Sequence, residues 1–95
     1  VEQRGEYEKA LKEKIESMNS KIDSLKQELD KVNQARREET EKKIMKMEKQ
    51  IHDLKQGLEQ LKQAGDDAWQ GLKSGIDQTV KSIEHAAKQM QSDIE

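Results

Sequence analysis

The sequence predicts an all-α protein, an antiparallel coiled coil or elongated helical bundle that assembles as an oligomer.

 Three observations predict it. Apolar residues recur at alternating steps of three and four; 18 basic and 20 acidic side chains make up 40 % of the 95 residues; and Phe, Pro and Cys are absent, with one Trp and one Tyr. A chain this small buries proportionally little surface, and an apolar fraction of 31 % cannot fill an ordinary globular core. Such a composition fits a disordered polyelectrolyte or long helices that bury a narrow stripe. Periodicity decides for helices.

The first helix is expected over residues 4–34. Leu11, Ile15, Met18, Ile22, Leu25, Leu29 and Val32 follow one another at steps of 4, 3, 4, 3, 4 and 3, the 3.5-residue average of a coiled-coil seam. Continued forward, the register falls on Arg36 and Glu39, so the seam stops there. A second seam, within a helix expected over 39–63, runs Ile44, Met47, Ile51, Leu54, Leu58 and Leu61, then thins to Gly65 and Ala68 before Leu72. Leu29 to Ile44 is fifteen residues and not fourteen, which requires a skip in a continuous helix or a turn. Nothing between residues 33 and 43 is Pro or Gly; Asn33 is a candidate left-handed terminus and Thr40 a candidate N-cap.

The third helix, expected over 67–93, carries Ile76, Val80, Ile83, Ala87, Met90 and Ile94. Ala64-Gly65-Asp66-Asp67 has the ingredients of the preceding boundary: Gly to leave one helix, Asp to cap the next, and negative charge at the new amino terminus. Gly71 and Gly75 either allow close helix approach or mark a hinge. Charge thins as well, from 29 charged side chains in residues 1–63 to 9 in residues 64–95.

The seam borders favour one arrangement. They are mainly basic in the first two seams, including Lys12, Lys14, Lys21, Lys26, Lys43, Lys55 and Lys62, whereas the third has Asp77, Thr79, Glu84, Ala86, Gln91 and Asp93. A parallel homodimer of the first helix would set Lys21 against Lys26 of its copy, a repulsive contact. The third helix is therefore expected to fold back, in the same chain or across a dimer, to lie antiparallel beside the first two. Narrow seams bury little in an isolated chain, so a homodimer or higher oligomer is expected, with other helical proteins as further partners.

A formal net charge of −2 gives no general field for nucleic acid, and none is expected as a partner. His52 and His85 have no second ligand at helical spacing, and the acidic residues lack the alternate oxygen-ligand spacing of a calcium loop, so neither metal nor cofactor is expected. No catalytic constellation can be drawn, and the protein is expected not to be an enzyme. No membrane-span or signal-type segment is visible, and the cytoplasm is the expected compartment. The start at Val1 and not Met points to trimming and leaves a removed leader open.

Trp69, Leu72, Ile76, Val80 and Ile83 form the candidate interaction patch. Packing of Trp69 between helices is preferred; docking of lipid or a partner is the alternative. Residues 64–95 carry three lysines and six acids, which disfavours a membrane surface because interfacial helices usually present a basic polar face.

The stretch Leu58 to Ile76, with Ala64-Gly65-Asp66-Asp67-Ala68-Trp69 followed by Gly71-Leu72-Lys73-Ser74-Gly75, resembles a segment of small uncharacterised bacterial coiled-coil proteins, one cyanobacterial relative of which is linked to salt stress. The specific part covers about twenty residues. Thr79-Val80 stands where that pattern has a second Ala-Trp-like pair, so a role for paired tryptophans does not carry over. The resemblance implies an uncharacterised, stress-associated bacterial coiled-coil protein; the seams, with no catalytic constellation among them, point to a non-enzymatic structural or protein-interaction module. The alternative is an amphipathic membrane-surface or stress-protective protein that binds lipid through residues 64–94.

Overall fold

A computed structural model describes residues 2–94, with side chains described for residues 4–92. Helix α1 spans Glu2–Glu28 and tightens into a 3-10 turn at Leu29–Lys31; α2 spans Gln34–Gln63 and α3 spans Asp66–Ile94. Each helix has one apolar stripe, and the three stripes close on one another in a single core. The result is a rod of 49 × 17 × 17 Å.

Both junctions sit where the seam slips by one residue. Fifteen residues separate Leu29 from Ile44, and eight separate Leu61 from Trp69, each one more than a whole number of heptads. One extra residue in a continuous helix would rotate the next stripe by about 100° away from the last. A turn re-aims it. At the first junction Val32 ends the 3-10 turn in extended backbone, and Asn33 caps α2, its side-chain oxygen accepting from the Arg36 N–H at 3.1 Å. This corrects two expectations. Asn33 starts a helix instead of ending one in the left-handed region, and α2 begins at Gln34, before the expected residue 39. Thr40 is not a cap: it is buried inside α2, where its hydroxyl donates to the Arg36 carbonyl at 2.9 Å and its position extends the second seam.

At the second junction the expected left-handed glycine is also absent; no described residue has positive φ. Ala64 leaves α2 in extended backbone, and the Gly65 carbonyl accepts the Trp69 N–H at 2.9 Å, which puts Gly65 in the capping position. Asp66 and Asp67 are already in the first turn of α3, where negative charge opposes the helix dipole's positive end.

The order of packing is up, down, up. Lys26 meets Glu48 at 3.0 Å across α1 and α2, while Arg4 reaches Leu61 and Ala64 at the other end, so these helices are antiparallel. Gln50 meets Ser82, which with the approach of Gly57 to Ile76 makes α2 and α3 antiparallel too. Two short turns then leave α3 parallel to α1, which corrects the expectation that it opposes both. Tyr7 bonds Asp77 and Lys21 bonds Gln91, pairs that are each 70 residues apart. Lys14 and Glu84 occupy the intervening rung of the same register. The border of α1 meets the border of α3 in parallel orientation, through the Tyr7–Asp77 and Lys21–Gln91 hydrogen bonds.

Among the described residues no helix is long and apolar enough to cross a membrane.

Candidate functional site

All but one of the seam residues of the first two helices enter the core: Leu11, Ile15, Met18, Ile22, Leu25 and Leu29 from the first, and Ile44, Met47, Ile51, Leu54, Leu58 and Leu61 from α2. Val32 is the exception. It is half-buried at the turn, because the helix ends before the register reaches it.

Trp69, Ile76, Val80 and Ile83 of the candidate patch are buried in that same core, and Leu72 packs against it half-buried. They are not a free surface. A partner reaches them only by displacing α1 or α2. Gly65 and Ala68, expected in the seam, are exposed; Trp69 takes the register instead, giving Trp69, Ile76, Ile83 and Met90 at steps of seven. The Ile94 side chain lies outside the described residues, as does that of Asp93.

The densest set of polar and aromatic contacts lies at the end of the rod where α1 begins and α2 turns into α3. Arg4 donates through Nη2 to the carbonyls of Leu61 (3.0 Å) and Ala64 (2.8 Å), and through Nη1 to Asp66 (3.1 Å). The last carbonyls of a helix lack partners within it. Arg4 supplies donors from another helix to the Ala64 carbonyl and to the Leu61 carbonyl, which also accepts the Ala64 N–H at 3.3 Å. Its guanidinium also lies 5.4 Å from the centre of the Trp69 ring. Trp69 meets Tyr7 edge to face, with ring centres 5.4 Å apart and planes at 73°.

Tyr7 then ties α1 to α3: its hydroxyl donates to Asp77 at 2.5 Å, and Lys73, 3.9 Å from Asp77, stands 5.3 Å from the Tyr7 ring centre. Burial of the phenol, reinforced by the hydrogen bond to Asp77 and that carboxylate's negative charge, pushes the Tyr7 hydroxyl well above its ordinary range. Tyr7 therefore stays a neutral donor. The Trp69 indole N–H is buried without a partner among the described residues.

Arg4 and Tyr7 were not among the sequence candidates because neither is an aliphatic seam residue. The signal was present: counting one heptad back from Leu11 gives Arg4, and one back from the border residue Lys14 gives Tyr7.

Elsewhere the surface is shallow. A groove of about 210 Å³ between α1 and α3 is floored by Met47 and flanked by Met18, Ile22, Ile83 and Ala87. Another, of about 310 Å³ between α2 and α3, is lined by Gly57, Gly71, Gly75 and Ile76. His52 and His85 are exposed, with His52 near Gln56, and no group of three or more metal-ligating side chains occurs among the described residues. Among the described residues Met45 is the exposed large apolar side chain, at 68 %.

The groups that carry chemistry in this chain are thus arranged to hold helix against helix. No family model, curated protein or solved structure matches it.

Proposed function

We propose that the protein is a non-enzymatic structural or protein-interaction module that associates with itself or with other helical proteins in the cytoplasm, in a stress-associated role. The observation that carries this is the Arg4, Tyr7 and Trp69 clasp with its carboxylate partners, Asp66 and Asp77. Its arginine, aromatics and carboxylates are all engaged in recognising one helix by another. The stress association rests on the Leu58 to Ile76 resemblance alone. A photo-crosslinker at exposed Met45, with a second at exposed His85 on α3, tests the module in cells. Discrete protein adducts, of this chain or another, are expected; loss of every adduct at both positions refutes the proposal.

A second reading, lipid binding through a released α3, draws support from that helix's stripe of Trp69, Ile76, Val80, Ile83 and Met90 and its low charge. Because Trp69 starts buried, a blue shift is a poor readout. Quenching of Trp69 by brominated lipid in anionic or neutral vesicles is the better one, and its absence in both removes the lipid reading.

A further inference from the structure

We infer that the protein self-associates by exchanging α1 between two copies, with residues 29–33 as the hinge. The inference specifies the self-association proposed above. It begins from what the surface lacks: among the described residues Met45 is the only large apolar side chain classed as exposed, so two closed bundles have no contiguous apolar face to bury against each other. What a second copy can offer is α1 itself. Every contact that seats α1, including Arg4 on the Leu61 and Ala64 carbonyls, Tyr7 on Asp77 and Lys26 on Glu48, is made equally well by the α1 of another copy. Exchange of an identical element costs little, because the contacts are the same in both states.

The two turns differ in how firmly they are fixed. The α2–α3 turn holds Gly65, is followed by two aspartates, and is clamped by Arg4. The α1–α2 turn has no Gly or Pro from residue 29 to 43; it is held by the Asn33 cap and by Arg37, which pairs with Asp30 at 3.3 Å while also reaching Glu41. Residues 34–39 are good helix formers, apart from their place after the cap. Straightening this hinge joins α1 and α2 into one helix of about 93 Å at 1.5 Å per residue. Two such helices laid antiparallel across a two-fold axis put α1 of each against α2 of the other, which is the antiparallel pairing already seen within one chain. The one-residue slip turns the α1 stripe away from the α2 stripe, and beside the other long helix the first then meets α3 of the other copy and the second meets α3 of its own.

The chain has no cysteine, so Lys26→Cys with Glu48→Cys introduces a single reporter pair across α1 and α2. Refolded dilute, it is expected to oxidise to monomer; refolded at millimolar concentration, to covalent dimer under non-reducing electrophoresis. Gln34→Pro in this background separates exchange from surface association. Pro is well accommodated at the first position of α2 but breaks a continuous helix. With one such break in each copy, dimerisation should weaken on the order of ten-thousandfold, while far-UV circular dichroism of the monomer is unchanged. Oxidation to monomer alone at millimolar concentration overturns the inference, as does a Gln34→Pro variant that dimerises like its parent. A dimer by light scattering whose oxidised pair is intramolecular also overturns it, yet leaves the interaction module standing.

Discussion

Replacing glycines by alanine tests the packing of α3 with predictions of opposite sign. Gly71 and Gly75 are exposed, and an added Cβ at either position has nothing within 4 Å. Alanine there gains its helix propensity without a clash, about 1 kcal/mol for each substitution. For a domain of this size that is a rise in Tm of about 4–8 °C per site. Gly57, one helix over, faces the core instead, and an added Cβ meets both Cδ1 and Cγ1 of Ile76 at 3.2 Å. Because two atoms of the branch are involved, Ile76 cannot yield by swinging its terminal methyl alone. Overpacking of this kind costs about 1–3 kcal/mol, against the same propensity gain of about 1, which leaves a net loss of about 0–2 kcal/mol. Urea titration followed by far-UV circular dichroism measures all three, with an unchanged slope confirming that the unfolded states are comparable. If Gly71→Ala and Gly75→Ala destabilise, their face of α3 is covered by something other than solvent. If Gly57→Ala stabilises by as much as they do, the close approach to Ile76 is not a constraint.

Three further outcomes follow from the clasp and the first turn. Tyr7→Phe keeps the edge-to-face contact with Trp69 and loses the bond to Asp77, for about 1 kcal/mol. Its pH dependence has a definite sign: a phenol whose folded value is raised stabilises fully below the unfolded value of about 10, and that contribution is lost as pH climbs beyond it. Denaturant melts of both proteins across the alkaline range should therefore show the wild-type advantage closing above pH about 10; a constant gap contradicts the burial of Tyr7. Arg4→Ala removes two bonds to α2 carbonyls and is expected to cost about 1–3 kcal/mol, with the pair to the 89 % exposed Asp66 contributing little. Arg4→Lys should recover less than half by thermal melt, since an ammonium lacks the planar fork. Asn33→Ala should cost about 0.5–2 kcal/mol by urea titration, whereas no loss there would mean that the cap does not hold the turn.

Much of this molecule was legible in its one-dimensional pattern. Alternating steps of three and four picked out Leu11 to Leu29 and Ile44 to Leu61 as buried, and the structure buries all of them. The pattern failed at helix ends. There Val32 fits the register but lies past the last helical turn, and Thr40, read as a cap, is a seam residue. Caps are decided by one or two hydrogen bonds, and Asn33 and Thr40 both have side chains able to make them. The clasp was missed for a different reason. Arg4 and Tyr7 act through a guanidinium and a hydroxyl whose partners lie 57 to 70 residues away, and no local pattern registers contacts at that separation.

The sequence by itself determined that the chain is helical, where the first two stripes run, and that a one-residue slip separates them, because periodicity and seam phase are properties of the chain read in order. Only the tertiary structure decided that this slip is a turn, that Trp69 takes the register after a second turn at Ala64 and Gly65, that α3 lies parallel to α1, and that the Trp69 stripe faces inward. Those depend on which helix covers which, and that is settled by contacts such as Arg4 on the end of α2 and Tyr7 on Asp77, made between groups far apart in sequence.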